Sequence, residues 1–240
     1  IIHDIIACKK CDDCYKPNDP TLVYNAGEKA DVVLISESPY NFPKEIKPYT
    51  VEDHMRELSA ILTKVKDEGH NARIHEFIFR TFKPLFESQR VDLVAAFAER
   101  TYWTHAAKKS LKCVENRTKA ARKCAEKLAI EELAAIEPKL LVIASSIATR
   151  ILFGLGFKVL YEQHIALEGE LLEFDRVLDM SPPKSLMQRS TNSFTSNWRP
   201  EIAVLPNPSG AAGRWHKYAY ETNAAVAHNV RKHIWEILRS

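Results

Sequence analysis

Short apolar runs, separated by longer stretches with helical periodicity, constrain the fold of this chain more than any other feature. The runs lie at residues 30–36, 101–104, 140–144 and 202–205, and the second is the weakest. Brief β-branched runs that end at a turn are typical of strands buried on both faces of a parallel sheet. We therefore predict a strand at each run.

Apolar side chains also recur at helical spacing elsewhere in the chain. The two clearest stripes are Met55, Leu58, Leu62 and Val65, after a candidate N-cap at Thr50, and Val226, Val230, Ile234 and Ile237. Alternating strands and helices predict an α/β fold, a three-layer α/β/α sandwich with a mostly parallel central sheet. Ligands bind such sheets beyond the carboxyl ends of the strands.

Length and composition favour one domain spanning residues 1–240, and the cysteines described below would make its N-terminal residues a metal-binding segment. The chain has 240 residues, 45% of them hydrophobic, and no Gly- or Pro-rich break divides it. Neither a signal peptide nor a run of transmembrane length is evident, so we expect an intracellular monomer, cytoplasmic or at the nucleoid, with no membrane partner. The net charge is only +3, so binding to a nucleic acid would depend on local basic patches.

Cysteines occur in two widely separated groups. Cys8 and Cys11 are followed by Cys14, and the second group, Cys113 and Cys124, lies much later in the chain. A spacing of two intervening residues lets neighbouring thiolates converge on one metal centre. The pattern favours an iron–sulfur cluster, with zinc as the alternative, and buried apolar cysteines or disulfides remain other interpretations.

Polar residues follow the predicted strands at their carboxyl ends. The first strand leads into Ser36-Glu37-Ser38-Pro39-Tyr40, the second into His105, and the last into Asn207-Pro208-Ser209-Gly210. Carboxyl ends of parallel strands meet at one edge of a sheet, so these segments are predicted to lie close together.

These segments resemble motifs of the uracil-DNA glycosylase superfamily. Ser36–Tyr40 is similar to its strand-end motif, and Asn207–Gly210 resembles its second motif in the Asn form. The iron–sulfur branch places Cys-x-x-Cys before the first motif, as Cys8 and Cys11 do. It also has a cysteine followed by an Asn-Arg-Thr segment and another cysteine, which resembles Cys113, Asn116-Arg117-Thr118 and Cys124. The likeness covers residues 8–40, 101–152 and 202–214, but Ser36 replaces a usual Gly, and His105 stands where an Asn is expected.

The resemblance implies a monofunctional DNA repair glycosylase that hydrolyses the N-glycosidic bond of uracil or another deaminated base in DNA. It also implies a structural [4Fe–4S] cluster held by Cys8, Cys11, Cys113 and Cys124. Such an enzyme flips the nucleotide and stabilises both a cation-like sugar and an anionic leaving base. Glu37 would orient or activate the attacking water, and Asn207 would donate to the base carbonyl.

The predicted base pocket combines strand-end and aromatic residues. Its members are Ser36, Ser38, Pro39, Tyr40, Phe42 and His105. Tyr40 would exclude the thymine methyl group and Phe42 would stack on the base, unless these rings pack in the core. His105 would donate to a carbonyl or accept from an imide N–H, depending on its tautomer. A half-buried histidine bound to the backbone is the alternative.

Two segments are predicted to contact DNA. One combines small residues with a cation and rings, which suits a wedge that enters the duplex. It comprises Ser209, Gly210, Arg214, Trp215 and His216. The other is a basic helix start that includes Arg117 and Lys119 with Arg122 and Lys123, unless this is an ordinary solvated face. Residues 181–200 are predicted to be a further phosphate-binding loop or a mobile connection.

Two other functions stay open, a non-catalytic iron–sulfur nucleic-acid-binding protein and a zinc-stabilised interaction domain.

Overall fold

A mixed α/β fold with a mostly parallel sheet is seen in the computed structural model, which describes residues 30–37, 100–107, 117–156, 159–160, 170–206 and 225–240. The strands are β1 (Val32–Ser36), β2 (Thr101–His105), β3 (Leu140–Ile143), β4 (Leu172–Glu173) and β5 (Glu201–Val204). Their order across the sheet is β2-β1-β3-β5-β4, and only β4 runs antiparallel to its neighbour. All four predicted strands are confirmed, whereas β4 was not predicted.

The helices follow the same alternation. They are α1 (Arg117–Cys124), a π-helical segment (Ala125–Ala129), α2 (Ile130–Ile136), α3 (Ser146–Phe153), α4 (Phe174–Met180), α5 (Leu186–Arg189), a 3₁₀ turn (Thr191–Ser193) and α6 (Ala225–Arg239). The helix predicted around Met55–Val65 lies outside the described residues.

Side chains of the sheet alternate between two apolar layers, because successive residues of a strand point to opposite faces. Val33 and Ile35 of β1 pack with α1 to α5, while Val32 and Leu34 pack with α6. Helices therefore cover both faces of the sheet in the described part of the chain, which is compatible with an α/β sandwich. The predicted stripe of α6 needs one correction. The buried residue of the last turn is Leu238, which the stripe did not include, whereas Ile237 is only partly buried and packs against the same layer.

Helix α3 has a defined start and a defined end. The Ser145 side chain accepts hydrogen bonds from the backbone amides of Ile147 and Ala148, at 3.2 and 3.3 Å. Such a cap satisfies amides that the helix itself leaves without partners. At the other end, Gly154 has φ +70°, and a Cβ there would lie 2.6 Å from Pro182 Cγ. Glycine therefore fits Gly154 for both conformational and steric reasons.

Helix α2 ends at a residue in the left-handed region. Glu137 has φ 45°, an unfavourable conformation for a side chain with a Cβ. Its carboxylate accepts hydrogen bonds from Thr195 N at 2.6 Å and Thr195 Oγ1 at 2.9 Å. These bonds offset part of the strain and attach the segment before β5 to the end of α2.

Charged side chains join several elements at the amino edge of the sheet, which is where its parallel strands begin. Arg100 binds Asp31 through Nε and donates to the α6 carbonyls of Leu238 at 2.8 Å and Ile237 at 3.2 Å. Lys139 Nζ lies 3.0 Å from the other oxygen of Asp31. Burial acts to raise the pKa of Asp31, but the hydrogen bonds and charges of Arg100 and Lys139 outweigh it and lower the pKa. This network joins β1, the start of β3 and the C-terminal end of α6.

Candidate functional site

The strand order reverses between β1 and β3. From β1 the chain passes to β2 on one side, whereas from β3 it passes to β4 and then β5, both of which lie on the other side. In open α/β sheets, ligands bind in the crevice at the carboxyl ends of such neighbouring strands. The carboxyl ends of β1 and β3, flanked by those of β2 and β5, therefore form the candidate site.

Backbone pairing continues past the last strand residues at this edge. Ala106 N donates to Ser36 O at 2.8 Å, and Ala107 N donates to Glu37 O at 2.9 Å. On the other side of β1, Ala144 N donates to Ile35 O at 2.9 Å. The backbone of Ser36 and Glu37 is thus held in place before the chain turns away.

Ser36 and His105 form a buried pair at the centre of this edge. They are partners in the register of β1 and β2, and each is 8% exposed. Alternation along the strands places both on the face covered by α6. The Ser36 hydroxyl and His105 Nδ1 are hydrogen-bonded. The imidazole is therefore buried and oriented by a side-chain hydroxyl.

Glu37 follows Ser36 directly and is partly buried. Glu37 therefore lies just beyond the carboxyl end of β1, where the sequence predicted it. The other predicted catalytic residue, Asn207, lies outside the described residues. Leu205 N donates to Ile143 O at 2.9 Å, so the chain leaves β5 beside β3 at the same edge.

A buried glutamate beneath β2 was missed by sequence reasoning. Glu132 of α2 is 1% exposed and accepts hydrogen bonds from Tyr102 Oη at 2.9 Å and Thr104 Oγ1 at 3.0 Å. Burial, together with the neighbouring Glu132 charge, raises the pKa of Tyr102. The sequence did contain a signal that Glu132 is buried. Glu132 lies four residues after Leu128, on the apolar stripe of the helical stretch. The interaction fixes β2, which carries His105, against α2.

The helical stretch from α1 to α2 runs from the carboxyl edge of the sheet toward its amino edge, because it connects β2 to β3. Cys124 precedes Glu132 along this stretch and therefore lies farther toward the carboxyl edge. Lys119, Arg122 and Lys123 lie farther in that direction and are exposed. Of Arg117, only the backbone is described. The described members of the predicted basic cluster therefore lie on α1, which covers the sheet face opposite to that of Ser36 and His105.

Most predicted ligands and pocket residues lie outside the described part of the chain. Of the four predicted metal ligands, only Cys124 is described; it is 8% exposed and ends α1. Among the described residues, no group of three or more His, Cys, Asp or Glu side chains could hold a metal ion. Other predicted metal ligands, pocket residues and DNA contacts lie outside the described residues. They are Cys8, Cys11, Cys113, Ser38, Pro39, Tyr40, Phe42, Ser209, Gly210, Arg214, Trp215 and His216.

Residues 181–200 form a packed segment. Trp198 stacks on Phe194 with ring centroids 4.2 Å apart, and its indole donates to Pro138 O at 2.9 Å. Arg189 is paired with Glu126 at 2.6 Å, and Arg199 with Asp175 at 2.7 Å. The anchor at Pro138 is at the amino edge of the sheet, so this part of the segment lies away from the candidate site.

Within the described ranges, no helix has the length and apolar character needed to span a membrane. A scan of protein-family models and a search of curated proteins each return no match to this sequence.

Proposed function

We propose that this chain is a monofunctional DNA glycosylase that hydrolyses the N-glycosidic bond of uracil, or of another deaminated base, in DNA. The proposal includes a specific fold, the three-layer α/β/α sandwich of the uracil-DNA glycosylase superfamily. One observation carries the proposal: Ser36, Glu37 and His105 lie together at the carboxyl edge where the strand order reverses. A chain whose sequence resembles the superfamily motifs would need these three residues at this edge.

The chemistry requires two kinds of group at this edge. A carboxylate near the sugar orients water and favours the positive charge that develops as the bond breaks. Glu37 has this role in the proposal. A hydrogen-bond donor aimed at the departing base stabilises its growing negative charge, and Asn207 supplies this donor. No lysine follows β1 or β5 directly in either motif, so water rather than an amine is the proposed nucleophile.

The proposal includes a structural [4Fe–4S] cluster, with zinc as the alternative metal. Cys8, Cys11, Cys113 and Cys124 would supply its thiolates, while Cys14 would not bind it. Cys124, the one proposed ligand among the described residues, is buried at the end of α1, on the side of the helix that packs in the apolar layer. The cluster would tie the N-terminal segment to this helix.

DNA would approach the carboxyl edge in this proposal. The cations of α1, Lys119, Arg122 and Lys123, are exposed and would contact phosphates. The segment containing Arg214 would fill the gap that the flipped base leaves. Both roles are electrostatic or steric and require no base-specific contact.

A glycosylase assay on a defined oligonucleotide tests the proposal. Purified, metal-replete protein is incubated with duplex DNA containing one uracil, and free uracil and alkali-sensitive sites are measured. The expected result is release of uracil with no strand break before alkali treatment. Intact uracil DNA would contradict the proposal and favour the non-catalytic nucleic-acid-binding protein.

The metal is tested separately by iron content and visible absorption. Replacing Cys113 and Cys124 together with serine should remove the cluster, whereas Cys14→Ser should retain it. A full cluster in the double variant would show that the ligand assignment is wrong. Stoichiometric zinc without iron in the wild type would favour the zinc alternative.

A further inference from the structure

Cations are concentrated in the first part of the helical stretch that begins with α1. Residues 117–127 contain five of them and a single acid, Glu126. That acid is already bound, because Arg189 of α5 lies 2.6 Å from its carboxylate. The positive charge of this part of the helix is therefore not balanced by its own acid.

Three of these cations form what we call the cationic stripe: Arg122, Lys123 and Lys127. All three are exposed, and none of them forms an ion pair with another residue of the described ranges. Lys127 follows Lys123 by about one turn, within the π-helical segment. Like charges at this spacing repel each other and destabilise a helix. The cationic stripe therefore lowers the stability of the protein alone, and an anionic partner would offset that loss.

The character of the helix surface indicates which class of anion fits the cationic stripe. From Lys119 to Glu131, every exposed side chain is charged. The apolar side chains of the stretch, such as Ala121 and Leu128, are buried in the apolar layer of the protein itself. A helix that binds a lipid surface presents an apolar face to it, so a membrane is a poor fit.

A nucleic-acid backbone fits better, because it offers a row of phosphates without an apolar surface. One DNA strand carries a phosphate for each 3.4 Å of rise, approximately. The cationic stripe extends roughly 7 Å along the helix axis, from Arg122 to Lys127. Several phosphates of one strand can therefore face it at the same time.

The cationic stripe and the candidate site lie on different sides of the sheet. Helix α1 packs in the apolar layer that contains Val33 and Ile35, whereas Ser36 and His105 lie on the face covered by α6. The helical stretch also runs away from the carboxyl edge, so Lys127 is farther from that edge than the α1 cations. DNA that lies across the edge to reach the candidate site would not follow the cationic stripe along the outer helices.

We propose that the cationic stripe binds the sugar–phosphate backbone of a second segment of duplex DNA, separate from the segment that occupies the candidate site. The inference goes beyond the proposed function, because it requires neither a glycosylase reaction nor a flipped base. Contacts to phosphates carry no sequence information, so undamaged duplexes should bind. The protein would then hold two segments of DNA at once.

The salt dependence of binding tests the contacts. Anisotropy of a labelled, undamaged duplex is measured over a range of salt concentrations, with wild type and a triple variant that carries Arg122→Gln, Lys123→Gln and Lys127→Gln. Each lost phosphate contact should reduce the slope of log K against log salt by roughly 0.9, so the triple variant should lose roughly 2 to 3 units of slope. An unchanged slope would overturn the inference.

A matched control removes the same charge elsewhere. It replaces three exposed cations outside the cationic stripe with glutamine, at Lys184, Lys232 and Arg239. This control should keep the wild-type slope, because the inference assigns the contacts to particular positions and not to the net charge. Equal losses in the control and the triple variant would overturn the inference.

The second segment is tested by whether one protein binds two duplexes. A uracil duplex and an undamaged duplex, labelled with a donor and an acceptor fluorophore, are mixed with the protein. Energy transfer between them should appear with wild type and the control and be lost with the triple variant. Displacement of one duplex by the other, without energy transfer, would overturn the inference. The result does not depend on release of uracil, so it stands apart from the test of the proposed function.

Urea unfolding and lipid binding separate the remaining explanations. The triple variant should be at least as stable as wild type, because it removes repulsion between neighbouring cations. A less stable triple variant would show that these cations serve the fold and would overturn the inference. Binding of phosphatidylserine vesicles but not of duplex DNA would assign the cationic stripe to a membrane and would also overturn it.

Discussion

The two edges of the sheet are built differently. At the amino edge, opposite charges meet: Arg100 and Lys139 bind Asp31, and Arg100 also binds carbonyls at the end of α6. At the carboxyl edge, a serine hydroxyl meets an imidazole, and a glutamate follows them. The first arrangement joins separate elements of the fold, whereas the second collects groups that donate, accept and exchange protons.

This difference indicates where stability and activity can be separated. Substitutions at the amino edge should change the free energy of unfolding with little effect on the chemistry of each folded molecule. On the proposed function, substitutions at the carboxyl edge should do the reverse, because groups arranged for reaction are seldom optimal for stability. Four predictions test this division.

The largest effect is expected at the carboxyl edge. Glu37→Ala and Asn207→Ala should each lower the single-turnover rate of uracil release by roughly 10²–10³-fold, the usual cost of losing a transition-state stabilising group. Urea unfolding should be nearly unchanged. Asn197→Ala, an exposed amide in the packed segment, is the control and should match wild type in rate. A wild-type rate for either catalytic variant would contradict its assigned role.

At the amino edge, Arg100→Met should lower the free energy of unfolding by about 2–3 kcal/mol, since it removes charged hydrogen bonds from a partly buried carboxylate and from two helix carbonyls. Lys139→Met is the matched control. Its side chain is 61% exposed, so it should cost less than about 1 kcal/mol. Equal losses in urea titrations of the two variants would show that the α6 contacts contribute little.

The same network predicts a dependence of stability on pH. Because the folded-state pKa of Asp31 lies below its usual value, its contribution is complete above the unfolded pKa of about 3.9 and is lost as pH falls through the folded pKa. The difference in unfolding free energy between wild type and Asp31→Asn should be constant above about pH 5 and shrink below about pH 4. A difference that grows on acidification would contradict the direction of the shift.

The smallest effect concerns the left-handed end of α2. Glu137→Ala and Glu137→Gly both remove the bonds to Thr195, but only glycine relieves the strain of φ 45°. The glycine variant should therefore be more stable than the alanine variant by about 1 kcal/mol in urea unfolding. An alanine variant at least as stable as the glycine variant would argue against a left-handed Glu137.

Much of the sheet was predictable because its strands are short apolar runs with clear ends. Residues 30–36 and 140–144 contain β1 and β3 almost residue for residue, and both are buried on both faces. The approach of Ser36 and His105 followed from a single rule, that carboxyl ends of parallel strands share an edge. That rule does not specify register, so it could not predict that these two side chains would be hydrogen-bonded.

Other features leave no periodic signal in the sequence. Strand β4 has two residues, Leu172 and Glu173, which is too short to show alternation. The π-helical segment at Ala125–Ala129 differs from α-helix only in its hydrogen bonds, and its composition is ordinary. The bond between Arg100 and Asp31 joins residues 69 positions apart, so it depends on the finished tertiary structure.

The central position of β1 affects the order in which the chain can fold. β1 comes first in the sequence among the described strands, yet its neighbours in the sheet begin at Thr101 and Leu140. At ribosomal rates of about 5–20 residues per second, the Val32–Ser36 run waits several seconds for its first partner. During that interval it is an unpaired β-branched segment, and the adjoining charges of Asp31 and Glu37 oppose its association with other chains. We therefore expect the charged residues at both ends of this strand to limit association of the nascent chain before its partner strands are made.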